Sequence, residues 1–469
     1  MTGQEHIDIQ EVAPAEVAEV DLYQHREKIY TRKIEGFYQR IRLFTGWPLL
    51  LGYFLLPWLS WDGRQMVLFD LPERKFHIIG LTLWPQDFPL LAFLLIISAY
   101  ALFAVTTFAG RIWCGYTCPQ TVWTSIFMWL EQKTEGSRNQ RMRLDKGPWT
   151  ANKVLRKLSK HAAWLFVALA TGMTFVGYFY PVRELTVELF TFSTGKWQAL
   201  WTLFFTCATY INAGWMREQV CTYMCPYARF QSVMFDQDTL IVSYDAARGE
   251  QRGSRKRSAD PGELGLGDCI ACELCVQVCP TGIDIREGLQ YECIGCALCV
   301  DACNSVMDKM EYPRGLIRYT SEHALEGGTT HWLRPRIVGY AAVLCLMVGV
   351  FSYNIFTRVP VELTVIRDRN QLYVPAEGGQ IDNIFRLQLV NMDNNSREYE
   401  IAITGIDGAE IIGDTLHTVD GGEVRSISVR VRADGERLDK PSTQLDFSVT
   451  ATDDPSLRAV SESRFMRPL

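Results

Sequence analysis

Residues 357–469 contain no cysteine, although the chain holds fourteen. A disulfide framework would place its cysteines in the exported, loop-rich part of a protein. Here that part has none, and the cysteines elsewhere read as reduced thiolates that ligate metal. The N-terminus lacks a secretory signal: it opens acidic and polar (Glu5, Asp8, Glu11, Glu16, Glu19, Asp21), with no basic stretch leading into an apolar core. The net charge of -6 is small for 469 residues and gives no footing for nucleic acid. No Walker loop, GxGxxG, nucleophile elbow or CxxCH motif occurs. That removes the sequence case for nucleotide, dinucleotide, acyl-transfer and c-type haem chemistry.

What is abundant is apolar and aromatic residues, gathered in blocks. Five blocks, at 42–60, 88–109, 162–180, 198–216 and 335–356, are long enough for a bilayer-crossing helix of about 20 residues. The first contains Pro48 and Pro57, and the fourth contains Asn212. Trp and Tyr at the block ends fit membrane interfaces better than buried core helices. Lys and Arg set the orientation. The flank Arg26, Lys28, Arg32, Lys33, Arg40 is basic, as are 110–161 (Arg111 through Lys160) and 217–334 (Arg252, Arg255, Lys256, Arg257). By contrast 61–87 has only Arg64, Arg74 and Lys75, and 181–197 only Arg183 and Lys196. The positive-inside rule then puts the N-terminus and 217–334 in the cytoplasm and the C-terminus outside. Every proposed cysteine ligand faces the reducing side.

The last hundred residues change character. The runs 362–367, 384–391, 398–404, 423–432 and 444–451 alternate apolar and polar residues, separated by Gly, Asp and Asn clusters. That pattern predicts an all-β sandwich of immunoglobulin size. His417 reads as a surface residue, and no catalytic constellation is visible there.

The strongest motif is Cys269-x2-Cys272-x2-Cys275-x3-Cys279-Pro280, followed by Cys293-x2-Cys296-x2-Cys299-x3-Cys303. Three cysteines at steps of three wrap one face of a cubane, and the fourth ligand comes from the other motif. On that rule Cys269, Cys272, Cys275 and Cys303 hold one 4Fe–4S cluster, and Cys293, Cys296, Cys299 and Cys279 hold the other. A pair of zinc sites is the competing reading of CxxC, but the doubled spacing favours clusters. Asn304 stands where a second proline is expected, which bears on local geometry. Ala271, Gly295 and Ala297 let backbone N–H groups approach the sulfurs.

A local repeat recurs after 107 residues: Cys114-Gly-Tyr-Thr-Cys118-Pro119 matches Cys221-Thr-Tyr-Met-Cys225-Pro226, with Tyr116 over Tyr223, Ser125 over Ser232 and Trp123 over Phe230. Each copy follows an apolar block. Proline disfavours helix in the residue before it and suits the first turn of the next, so Cys118 and Cys225 are expected at breaks. Four thiols then stand at the cytoplasmic membrane surface. Soft thiolates favour Cu(I), zinc or an iron–sulfur cluster, and a redox-active copper site, a structural or third-cluster site and packing thiols all stay open. Met128, Met216 and Met224 are possible thioether ligands. Cys207 and Cys345, inside blocks, read as small hydrophobes. His161, His323 and His331 lie near expected membrane edges, where a structural or surface role is expected over haem ligation.

In order, these features are span, CxxxCP, paired spans, CxxxCP, eight-cysteine ferredoxin, final span and β-domain. The chain resembles the cytochrome c oxidase accessory proteins of the CcoG family, also called RdxA or FixG. The segments beginning at Trp113, Cys221 and Asp238 look like that family's characteristic stretches. The resemblance implies a bacterial inner-membrane protein that reduces Cu(II) to Cu(I), delivers it to a copper chaperone or transporter, and serves assembly of cbb3-type cytochrome c oxidase. It implies two 4Fe–4S clusters, an immunoglobulin-like periplasmic domain, a copper role for Cys114, Cys118, Cys221 and Cys225, and an electron donor it does not name. The alternatives are a quinol-linked electron-transfer protein of the NapH or NosR type and a non-enzymatic assembly factor. The expected fold is a five-span α-helical bundle with an inserted α+β two-cluster ferredoxin domain and a C-terminal all-β sandwich. Its parts are a cytoplasmic tail (1–40), four spans with the first CxxxCP (41–216), the second CxxxCP and a basic linker (217–262), the ferredoxin domain (263–310), a linker (311–334), the fifth span (335–357) and the periplasmic domain (358–469).

Overall fold

The computed structural model describes residues 28–61, 63–367, 372–438 and 440–468. The expected N-terminal tail thus lies, over residues 1–27, outside the described residues. The chain forms two compact units. One comprises the chain up to Ile41, Met128–His161 and Val242–Tyr319; the other comprises Arg42–Phe127, Ala162–Ile241 and Thr320–Leu469.

The first unit is built on the eight-cysteine cassette. Its helices Leu274–Val278 and Leu298–Met310 pack together, and the strands Ile241–Tyr244 and Ile317–Thr320 pair in a two-stranded sheet. Val242, Tyr244, Ile285, Val300, Met307, Leu316 and Ile317 form the core between cysteines. The unit runs from 242 to 319, wider than the expected 263–310, because each closing strand is only four residues long. The unequal helices have a chemical cause. Pro280 forces Cys279 into extended backbone (ψ 123°) and stops the first helix at Val278. Asn304 permits the second to continue to Met310, and its side-chain oxygen accepts from the Gly315 N–H at 3.0 Å.

Residues 28–36, expected in the tail, pack within this unit. Thr31 is buried, and the Arg32 N–H donates to the Gln277 carbonyl at 2.8 Å. Buried Asp301 accepts from the backbone N–H groups of Tyr38 (3.2 Å) and Gln39 (2.8 Å), at the start of the helix Phe37–Leu55. A carboxylate there satisfies orphan donors and complements the positive end of the helix dipole. The basic 110–161 stretch is largely helical. Within this unit Glu131 and Glu135 are buried against Arg141 (3.2 Å), Lys157 (2.9 Å) and Lys160 (2.9 Å).

In the second unit, Phe88–Ala109 and Pro335–Phe356 pack as an antiparallel pair, with ring contacts Phe93–Phe351, Tyr100–Tyr340 and Phe108–Trp332. These helices are long and apolar enough to cross a membrane. Protein leaves most of their surface uncovered, with Leu95, Ile96 and Leu346 facing outward. The other three expected blocks are also helical: Phe37–Leu55, Ala151–Val176, and Lys196–Thr209 continued by a wider π-turn, Tyr210–Met216. Arg358, past the end of the last helix, pairs with Asp87 at 2.6 Å, before the start of its neighbour. Between the first two blocks the strands Val67–Asp70, Lys75–Ile78 and Leu81–Leu83 form an antiparallel meander, in runs too short to stand out in the sequence.

The C-terminal part is two antiparallel sheets. Gln380–Asn391 pairs with Val361–Arg367 on one side and Val424–Asp434 on the other; Ser442–Ala451 pairs with Arg397–Thr404 and Arg458–Met466. Phe385, Leu387, Leu389, Tyr399, Phe447 and Phe465 are fully buried in their shared core. All five expected runs are strands. Half-buried His417 lies on Leu416–Val419, its Nε2 3.0 Å from the Asp414 carbonyl oxygen.

Candidate functional site

The eight cassette cysteines line two cavities. One is lined by Cys269, Cys272, Cys275 and Cys303 with Tyr244, Arg286 and Met307. The other is lined by Cys279, Cys293, Cys296 and Cys299, with Cys275 at its wall and Val242, Ile285 and Ile294 around it. Apart from Cys275 at the wall of the second, each cavity thus takes three cysteines from one motif and the last cysteine of the other. Their spacing fits a cluster rather than a lone ion. Thiolates around one zinc, at about 2.3 Å each, stand about 3.8 Å apart, whereas among the described residues no three thiols lie within 4.8 Å of one another.

Local backbone explains why these turns wrap inward. Ala271 (φ 51°) and Gly295 (φ 65°) follow their first cysteines by two residues; Glu273 (φ 55°) and Ala297 (φ 56°) follow their second by one. The matching left-handed positions point successive N–H groups into each turn, a concavity suited to anionic sulfur. Ala271, Gly295 and Ala297 are the small residues expected near the sulfurs; Glu273 occupies the same backbone state despite its Cβ. Burial pushes the Cys275 thiol up to about 11 and the Cys303 thiol up to about 12, and holds Cys299 well above the thiol range. Empty, these thiols stay protonated at neutral pH, and a coordinated cation reverses that.

The CxxxCP cysteines all lie in the second unit. Helices begin at Pro119 and Pro226, immediately after Cys118 and Cys225, and Cys225 is extended (ψ 110°). The Cys114 thiol donates to Gln231 Oε1 at 3.6 Å, and Thr121 donates to the Cys114 carbonyl at 2.6 Å. Gln231 also donates to Tyr227 at 2.9 Å, whose hydroxyl stands 2.5 Å from Thr106. Buried Arg111 donates to the Ala228 carbonyl at 2.7 Å. Burial raises Cys114 and Cys221 to about 12; the other CxxxCP thiols add to the rise, and Arg111 opposes it. Cys114 and Cys221 therefore feel both their neighbouring thiols and one buried guanidinium. Arg111, Tyr227 and Gln231 were not singled out as site residues in the sequence. Cys207 and Cys345 are exposed on their helices.

Comparison with known proteins follows these parts. A 4Fe-4S binding domain model matches residues 91–135 and a 4Fe-4S dicluster domain model matches 216–322, so each CxxxCP motif falls inside an iron–sulfur family segment. A model of the IG-like fold at the C-terminus of FixG matches 351–468. The nitrogen fixation protein FixG of Rhizobium meliloti is 37% identical over 451 residues, covering 88% of this chain and 85% of that protein. Protein RdxA of Cereibacter sphaeroides is 39% identical over 404 residues, covering 82% and 84%. Among solved structures, a FixG-related protein from Vibrio parahaemolyticus aligns with 24% of this chain and 98% of its own, at 29% identity and a TM-score of 0.22.

Proposed function

The chain belongs to the FixG and RdxA family, and on that basis we propose that it is a membrane-bound cupric reductase serving oxidase assembly. It is an iron–sulfur protein with an immunoglobulin-like C-terminal domain. In this reading all five helical blocks cross a bacterial inner membrane, with the cassette in the cytoplasm and the β-domain in the periplasm. Cys269, Cys272, Cys275 and Cys303 hold one cluster, and Cys279, Cys293, Cys296 and Cys299 the other. The grouping of those cysteines around two cavities is the observation that carries this assignment.

Bound there, the clusters supply single electrons at low potential. The CxxxCP thiols supply the preference for the product. Cupric ion favours nitrogen and oxygen ligands, and Cu(I) favours sulfur, so a thiolate site draws copper toward its reduced state. Arg111 stabilises the thiolate forms against the cost of burial. Cu(I) then passes to a copper chaperone or transporter for cbb3-type oxidase.

One observation favours a second reading. The 4Fe-4S model over 91–135 contains Cys114 and Cys118, which suits a third cluster in a quinol-linked electron conduit. Metal counting and EPR on the purified protein, wild type beside Cys114→Ala/Cys225→Ala, separate the two. Loss of copper with iron unchanged supports the cupric reductase. Loss of iron overturns it in favour of the conduit.

A further inference from the structure

Two histidines and an aspartate distant in sequence meet at one end of the paired apolar helices. Among the described residues, Asp238, His323 and His331 are the one trio of His, Cys, Asp or Glu whose donor atoms all lie within 4.8 Å of one another. His331 Nδ1 is 3.2 Å from Asp238 Oδ2, His323 Nδ1 is 3.5 Å from Asp238 Oδ1, and the two rings are 5.0 Å apart. Ligands bound to one ion at about 2.0–2.1 Å stand about 3 to 3.5 Å apart. The observed separations are those of a coordination edge.

The backbone is arranged to hold this geometry. The His323 N–H donates to the Gln237 carbonyl at 3.1 Å, and the His331 N–H donates to Asp238 Oδ1 at 3.0 Å. The connecting loop closes on itself, with Ser321 and Thr330 hydroxyls 2.7 Å apart and the Gly328 N–H on the His323 carbonyl at 3.0 Å. Gly328 is needed there, because a Cβ would meet the His323 ring at 2.6 Å. Neighbouring Asp236 takes the guanidinium of Arg334. Asp238 is left to the two histidines.

We propose that Asp238, His323 and His331 form a binding site for a divalent transition-metal ion. Two imidazoles and a carboxylate are borderline-hard ligands that suit Cu(II) and Zn(II) rather than Cu(I). Naming the ion as Cu(II), the entering substrate, rests on the cupric-reductase reading. The placement agrees with it. Thr107 accepts from Thr239 and Arg334 beside the triad, while the preceding residue, Thr106, contacts Tyr227 and Gln231 beside Cys114. A nitrogen–oxygen site for the oxidised ion and a sulfur site for the reduced ion thus rest on successive residues of one helix.

The test measures binding, so it is independent of whether copper is reduced. Full-length protein with intact clusters is dialysed against micromolar Zn(II), wild type beside His323→Gln/His331→Gln, with iron content as the folding control. Wild type is expected to bind one more Zn(II) per chain than the variant. Pulsed EPR of wild type loaded with one Cu(II) provides a readout that needs no variant, and two imidazole nitrogens are expected. Equal zinc counts, or a copper signal with fewer than two imidazoles, overturn the site.

Discussion

Cys279 and Cys303 each line the cavity shared with the other motif's first three cysteines, so each is expected to control one cluster. Cys303→Ser and Cys279→Ser should each lower iron from about eight to about four atoms per chain, read by metal analysis, and leave one cluster signal in EPR. Arg111 makes a different prediction. Burial already raises Cys114 and Cys221 to about 12, and the nearby guanidinium opposes the rise. Arg111→Gln should raise both further, leaving less thiolate at any pH below that range. Alkylation of the metal-free protein should then slow and its midpoint move to higher pH. The grouping of the cassette cysteines around two cavities was legible because their spacing alone encodes it. Arg111, Tyr227 and Gln231 were not, because they meet Cys114 only when the Pro226–Met234 helix returns to the end of Phe88–Ala109.

Helices and strands carry their own tests. Asp301 holds two N–H groups at the start of Phe37–Leu55, and Asp301→Ala should cost about 0.5–2 kcal/mol there, seen as faster hydrogen exchange at residues 38–41. Gly36→Ala should act alike, since a Cβ at 36 would lie 2.2 Å from Asp301 Cγ. In the β-domain, buried Asp382 accepts from Arg432 at 2.7 and 2.9 Å, which holds its carboxyl below the usual range. A lowered folded pKa means stability present above about pH 4 and lost as pH falls through the folded value. Protection factors in 380–391, taken against the unfolded chain at the same pH, should fall on acidification, and Asp382→Asn should show that loss of protection at neutral pH, at a cost of about 1–3 kcal/mol. Five of the six long strands of the β-domain were legible from alternation. Glu410–Ile412, Leu416–Val419 and the largely polar edge strand Arg458–Met466 were not, and neither was the meander at 67–83. Their runs are too short or too polar to show a buried face.

For the molecule as a whole, the order of its parts was legible, because long apolar blocks and cysteine spacing survive without any knowledge of packing. The extent of the iron–sulfur unit was not, since it is completed by chain from before residue 42 and from 128–161. The proposed orientation across a membrane rests on the distribution of basic residues and is testable directly. A membrane-impermeant thiol reagent given to cells with a permeabilised outer membrane should label Ser456→Cys and spare Ser254→Cys until the inner membrane is opened. The reverse pattern would put the cassette on the oxidising side, where free thiolate ligands would not persist.

The decisive measurement is an anaerobic titration of dithionite-reduced, desalted protein with Cu(II). The oxidised cluster absorption is expected to return with about two Cu(II) per chain, one electron for each cluster. A Cu(I)-specific chelator should recover the same amount, and Cys279→Ser/Cys303→Ser should abolish both signals. Protein that stays reduced in excess Cu(II), or a cluster-free variant that yields as much Cu(I) as wild type, would contradict a cupric reductase.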